Sequence, residues 1–289
     1  MRRASMLAAL GVTTCTLLTG HVRAASEADL EQVLAKVGAA VERYYARAQS
    51  VMCLETVTQQ TLTLGMQPDG TPMRRLLYDL RVAWDALTSE DHAATVQREL
   101  LKVNNREPRP KDKPKCLDPS AVSPDSLTML LPANRDDYIF TLAGSAKISG
   151  RAATLVDYKA RQRGTVTVKP HEDREECWSI DMAGSTRGRV WIDAATGDVL
   201  RFDERLANYV EAALPSKEYG SQTVVFERLD STTVYQPVTF ADPDETLMLP
   251  TSHESLQLVR NAGTPGLRST HKFSNYRRFS TEGHVIDPF

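Results

Sequence analysis

Residues 74–85 alternate with a period of two. Leu76, Tyr78, Leu80, Val82 and Trp84 fall on one side, and Asp79, Arg81 and Asp85 on the other. That period is a strand with one dry face and one wet face. Half-burial of this kind belongs to an antiparallel sheet, because parallel strands are covered on both faces. The pattern extends in both directions. Residues 51–65 are rich in Val, Thr and Leu, and Asp69-Gly70 is a turn signal before the alternating strand. Residues 94–103 read as a strand continuing the pair. From Tyr138 onward strands are expected near 138–143, 151–161, 176–182, 188–193, 198–207, 221–230, 254–260 and 268–280, with 162–175 and 241–252 as loops.

Two helices interrupt this pattern. Leu30, Val33, Leu34, Val37, Val41, Tyr44, Tyr45 and Ala48 recur at spacings of three and four, which predicts an amphipathic helix over 27–49. Ser26 is suited to cap it, and Glu27 and Asp29 favour its positive end. Residues 104–124 form a proline-rich linker. Pro124 then opens a short central helix that runs to about Leu131 and stops at Pro132.

The chain begins with Met1-Arg2-Arg3, an apolar run from Met6 to Leu18, and Val22-Arg23-Ala24. These are the three parts of a secretory signal, and the apolar run is too short to span a hydrocarbon core of about 30 Å. The expected organisation is a signal peptide at 1–24 and one domain over 25–289, periplasmic or secreted. No later segment has the length of apolar residues a membrane helix needs. The whole chain carries 35 basic and 37 acidic residues, a net charge of −2. Loss of Arg2, Arg3 and Arg23 would leave 32 against 37, or −5, which argues against nucleic acid or an anionic membrane as main partner. Of the four cysteines, Cys15 would leave with the signal. Cys116 and Cys177 lie in polar, loop-like surroundings and are expected to pair. Cys53, between Met52 and Leu54, is expected to be a buried free thiol.

The best-defined hairpin is Gly188–Asp203, with Gly197 closing its turn. Its Val190-Trp191-Ile192-Asp193-x-x-Thr196-Gly197-x-Val199-Leu200-Arg201 resembles the central hairpin of the lipoprotein-carrier (LolA-like) superfamily, which includes periplasmic outer-membrane lipoprotein carriers and sigma-factor regulators. A wider resemblance, to uncharacterised secreted bacterial proteins, rests on Cys53–Thr58, Arg98–Asn104, Leu130–Pro132 and Ser274–Phe279. The resemblance implies an α+β fold: a large curved antiparallel sheet, or half-barrel, wrapped around the N-terminal helix and a short central helix, with an apolar inner surface.

Motifs for catalysis are missing. There is no His-Glu-x-x-His, no Gly-x-Ser-x-Gly, no phosphate-binding glycine loop and no Cys-x-x-Cys. Gly184-Ser185-Thr186-Arg187-Gly188 leads into a strand and reads as a turn. The acids at 172, 173, 175 and 176 beside His171 match no metal-loop spacing and read as a solvated loop, so neither metal nor cofactor is expected. The Leu76–Trp84 stripe is either core against the 27–49 helix or the wall of a ligand groove. In the second case Tyr78, Leu80, Val82, Trp84, Leu200, Phe202 and Phe226 are the candidate binding residues, joined by Leu206 and Val224. Arg277-Arg278 would then either meet an anionic head group or mark a strand edge. The function these features point to is a non-enzymatic envelope protein that binds an apolar ligand, a lipid or a lipidated partner in a concave sheet face. The alternative is a protein-interaction module whose concave face is filled by its own helices.

Overall fold

The computed structural model describes residues 27–48, 51–84, 94–112, 116–118, 121–122, 124–171, 177–216, 220–279 and 285–286. The expected signal peptide and the acidic residues at 172–176 lie outside them.

Helix α1 (Glu27–Arg47) carries Glu27 and Asp29 in its first turn and buries Leu34, Val37, Val41 and Tyr45. The strands that follow are β1 (Val51–Leu62), β2 (Arg74–Trp84), β3 (Ala94–Val103), β4 (Tyr138–Ile148), β5 (Arg151–Ala160), β6 (Thr167–Pro170), β7 (Trp178–Asp181), β8 (Thr186–Asp193), β9 (Val199–Leu206), β10 (Val210–Ser216), β11 (Gly220–Ala241), β12 (Asp244–Arg260), β13 (Gly266–Phe279) and β14 (Val285–Ile286). Twelve of them form one large, open, curved sheet in the order β3-β2-β1-β13-β12-β11-β9-β8-β5-β4. β10 is added on β11 and β14 on β13, while β6 and β7 make a separate pair. Every pairing is antiparallel.

Three covers lie on the inner face. α1 and the turns around Leu127–Leu131 pack on Val156, Tyr158, Val190, Ile192 and Phe202 of β5, β8 and β9. Each aliphatic side chain fully buried there contributes about 1.5–3 kcal/mol. The β6–β7 pair brings Val168 and Ile180 against Leu206, Val224 and Phe226. The linker, with Ala121 and Val122, covers Cys53, Leu80 and Phe273. Cys116 and Cys177 are bonded, with Cα atoms 5.3 Å apart, and so tie the linker to the β6–β7 pair.

Three expectations need correction. The central helix is instead two 3-10 segments, Pro124–Leu130 and Pro132–Asp137, with Pro132 interrupting between them. Residues 241–252 are mostly strand, because β11 and β12 form one long hairpin turning at Asp242-Pro243. Pro237 and Pro250 are tolerated in it for a simple reason. β9 pairs with β11 only over 230–234 and β13 with β12 only over 252–258, so both prolines lie beyond the third strand. Residues 162–175, read as a loop, contain β6.

Candidate functional site

The register places one parity of every strand on the inner face. Leu80 opposes Cys53 and Arg98, Tyr78 opposes Glu55, Val57 opposes His271, His271 opposes His253, His253 opposes Thr233, and Thr233 opposes Phe202. Strands β3, β1, β13, β12 and β11 thus contribute Arg98, Glu55, His271, His253 and Thr233 to one polar row across the sheet.

The row is tightly bonded. The guanidinium of Arg98 donates from Nε to Glu55 Oε2 at 2.7 Å and from Nη2 to Oε1 at 2.6 Å. His271 Nδ1 donates to the same Oε1 at 2.6 Å. Arg98 also lies 4.4 Å from the centre of the Tyr78 ring. The His253 ring stands edge-on to His271 at 5.3 Å, and its Nδ1 is 2.9 Å from Thr233 Oγ1. Glu55 is fully buried. Burial pushes its carboxyl up, but the bonds from His271 and Arg98 outweigh that and hold it below the usual carboxylate range. Burial, then the neighbouring His271, push His253 down to about 4. It is therefore a neutral imidazole at pH 7.

Thr233, His253 and His271 of the row line a cavity of about 550 Å³, within the range of about 300–1,000 Å³ common for small-molecule sites. The sheet supplies its floor, including Ser231, Thr233, His253, Ser255, Gln257 and Ser269 beside Phe202 and Leu267. The linker supplies Leu117, Ala121 and Val122, and the β6–β7 side supplies His171, Trp178 and Ile180. Among the described residues, the hydroxyls of Ser231, Ser255 and Ser269 have no protein partner. Glu204 borders the cavity too. Its carboxylate accepts from Tyr158 at 2.9 Å, and burial raises its pKa despite that bond. Asp118 fixes the linker by pairing with Arg74, and Gln59 donates to the Leu117 carbonyl at 2.6 Å.

The residues nominated from the sequence do not form one surface. Tyr78 packs with Val57, Leu76 and Val103. Leu80 and Val82 line a crevice of about 40 Å³ with Tyr44, Cys53 and Tyr276, which has room for only a few waters. Phe202 sits under α1 and also reaches the polar cavity. Phe226, with Leu206 and Val224, lies under the β6–β7 pair. Leu200 is buried. Trp84 ends β2, and its side chain lies outside the described set. Leu80 and Val82 of the β2 stripe pack with Ala121 and Val122 of the linker, Leu76 and Tyr78 pack with β1 and β3, and α1 packs on the β5, β8 and β9 half. Arg277 and Arg278 are tied to Asp79 and Glu245.

The polar row itself was not nominated from the sequence. Its one local signal is Glu55, which shares parity with Cys53 and Val57 and so interrupts a buried face. His253 and His271 are 18 residues apart and meet only through the register of β12 and β13.

No family model matches the chain, and no curated protein matches it. Among solved structures, the chain is similar to a putative outer membrane lipoprotein-sorting protein domain from Vibrio parahaemolyticus, with 10% identity over 87% of this chain and 94% of the other at a TM-score of 0.40. A DUF1329 family protein from Desulfovibrio piger gives 9% identity over 87% and 93%, with a TM-score of 0.40. A LolA superfamily protein from Nitrosomonas europaea gives 9% over 86% and 93%, with a TM-score of 0.34.

Proposed function

We propose that this is an exported envelope protein, periplasmic or secreted, that binds an amphipathic ligand in the inner-face cavity and catalyses no reaction. The ligand class is a lipid or a lipidated partner, with its polar end on the hydroxyl-lined floor. The observation that carries this reading is the cavity floor. Ser231, Ser255 and Ser269 offer hydroxyls that no protein group among the described residues uses, next to a neutral His253, while apolar Leu117, Ala121, Val122 and Ile180 sit at the covers. Ser231 and Ser255 are half-buried and Ser269 is buried, so water or a polar group from a ligand can reach the floor, and covering such a hydroxyl without a partner costs about 1–3 kcal/mol. The non-enzymatic reading is supported by the bonding of His271. It has the carboxylate that orients a general base, but among the described residues no hydroxyl or thiol is bonded to it.

The test is to purify the mature protein from its native envelope, extract it with organic solvent and identify what elutes by mass spectrometry. A co-purifying amphipathic molecule, lost in a Ser255→Leu variant that still folds, is the expected result. No bound lipid, together with no binding of a fluorescent fatty-acid probe, would refute it.

One observation favours a second reading. α1 fills the apolar half of the inner face with the protein's own side chains, which is the arrangement expected of a protein-interaction module. Cross-linking in the envelope that traps one dominant protein partner, with no lipid in the extract, would favour that reading.

A further inference from the structure

On the outer face, the strand register lines up three cations. Lys159 of β5 is directly opposite Arg187 of β8, and Arg187 is directly opposite Arg205 of β9. All three side chains are exposed. Adjacent strands lie about 4.8 Å apart, so the row spans roughly 10 Å. Like charges directly opposed across strands destabilise a sheet, and this row has two such oppositions in succession.

The aspartates lining the same cavity do not neutralise it, because each is already committed to another arginine, and Glu204 accepts from Tyr158 and Thr186 instead. Asp157 takes both bonds of Arg189, at 2.5 and 2.9 Å. Asp203 takes both bonds of Arg201, at 2.7 and 2.8 Å. Asp230, which opposes Arg205, is held by Arg228. Among the described residues, Lys159, Arg187 and Arg205 are in no ion pair, and Arg205 acts on Asp157 only at longer range. The three cations line a cavity of about 670 Å³ on this face. The neighbouring Trp191 has Arg201 over its ring at 4.7 Å.

We infer that the row Lys159–Arg187–Arg205 is a binding site for a small soluble polyanion carrying adjacent phosphate groups. The forked guanidinium matches phosphate oxygens two at a time, and a row about 10 Å long holds more than one phosphate. The three cations line a cavity rather than a protruding surface, which a small soluble ligand can enter and a flat membrane cannot, so a soluble ligand is the source the structure favours. This site is on the opposite face of the sheet from the polar cavity and does not depend on the function proposed for it.

The experiment is calorimetric titration of the full protein with sodium tripolyphosphate at low ionic strength. The wild type is expected to bind, with affinity falling steeply as salt is added. Arg187→Gln should weaken binding at least tenfold. Without ligand its Tm should be equal to or above that of the wild type, because the substitution removes both oppositions. Arg260→Gln makes the same change in net charge outside the row and should bind as the wild type does. If Arg187→Gln melts early, Lys159→Gln and Arg205→Gln test the ends of the row. Absence of heat with the wild type, or binding by Arg187→Gln within twofold of it, overturns the proposal. So does Arg187-dependent sedimentation with phosphatidylglycerol vesicles in the absence of tripolyphosphate binding, which would assign the row to lipid head groups.

Discussion

Glu55→Gln tests whether the buried row is held by charge. Glu55 is fully buried and accepts three bonds of 2.6–2.7 Å, two from Arg98 and one from His271. Glutamine fills the same space but loses the charge, and its amide donor must face either Arg98, which can only donate, or His271, which must then change tautomer to accept. The Arg98 side chain, 12% exposed, is left without its counter-ion. Breaking a buried pair from one side costs about 3–5 kcal/mol, whereas a well-packed apolar replacement of both partners is often neutral. For a chain of this size each kcal/mol moves Tm by about 2–4 °C, so the variant should melt roughly 6–20 °C lower at pH 7. Thermal melts by circular dichroism measure this directly. The double variant Glu55→Leu/Arg98→Met should recover much of the loss, because no buried charge remains. The reasoning fails if Glu55→Gln melts within about 2 °C of wild type, or if the double variant is as unstable as the single effects added together.

Three further outcomes follow from neighbouring groups. His253 titrates at about 4 when folded against an ordinary 6.5, so between those values the unfolded chain binds a proton that the folded protein does not. Stability should therefore fall as pH drops through that window, by at most about 1.4 kcal/mol per pH unit. His253→Gln should flatten the fall in Tm, and a wild-type Tm level from pH 7 to 5 would refute it. Glu55 adds its own loss at lower pH, as its depressed carboxyl is finally protonated. Cys116 and Cys177 are 61 residues apart, and closing a loop of that length contributes about 4 kcal/mol in the chain-entropy model. Cys116→Ser should lower the denaturation midpoint accordingly, with no change meaning that the covers are held without the bond. Burial, then the charge of Glu55, push Cys53 up to about 12, so iodoacetamide should leave it unmodified in the native protein and label it in urea, as intact-mass measurement will show.

What the sequence shows plainly is what depends on neighbours along the chain. The period of two at 74–85, the period of three and four at 27–49 and the Gly188–Asp203 hairpin each become the element they predict. Gly197 takes a φ of +82°. Gly188 is also necessary, since a Cβ there would lie 1.9 Å from the Asp203 carbonyl oxygen. Cys116 and Cys177 pair as their polar surroundings suggest. What stays hidden depends on register between distant strands. Glu55 and His271 are 216 residues apart, and nothing local to either announces the other. The Lys159, Arg187 and Arg205 row is invisible for the same reason, because each is an ordinary exposed charge on its own strand. Pro237 and Pro250 sit inside the β11–β12 hairpin because proline forbids a strand only where a neighbour needs an N–H at that position.

The division of the inner face bears on which ligand the cavity can take. Where α1 and the β6–β7 pair lie, the sheet presents valine, leucine, isoleucine and phenylalanine, and those side chains are used up against the covers. Only where the covers leave room does the sheet turn to serine, threonine, histidine and glutamine. An acyl chain laid on that floor would strip water from Ser231, Ser255 and Ser269 and give nothing back, at about 1–3 kcal/mol for each hydroxyl. A polar head group would replace the water bond for bond, and its apolar tail would meet Val122 and Ile180 at the covers. Binding of a fatty-acid probe should therefore weaken when its carboxylate is replaced by a methyl group. If the methyl-ended probe binds as well or better, the polar floor is not what holds the ligand.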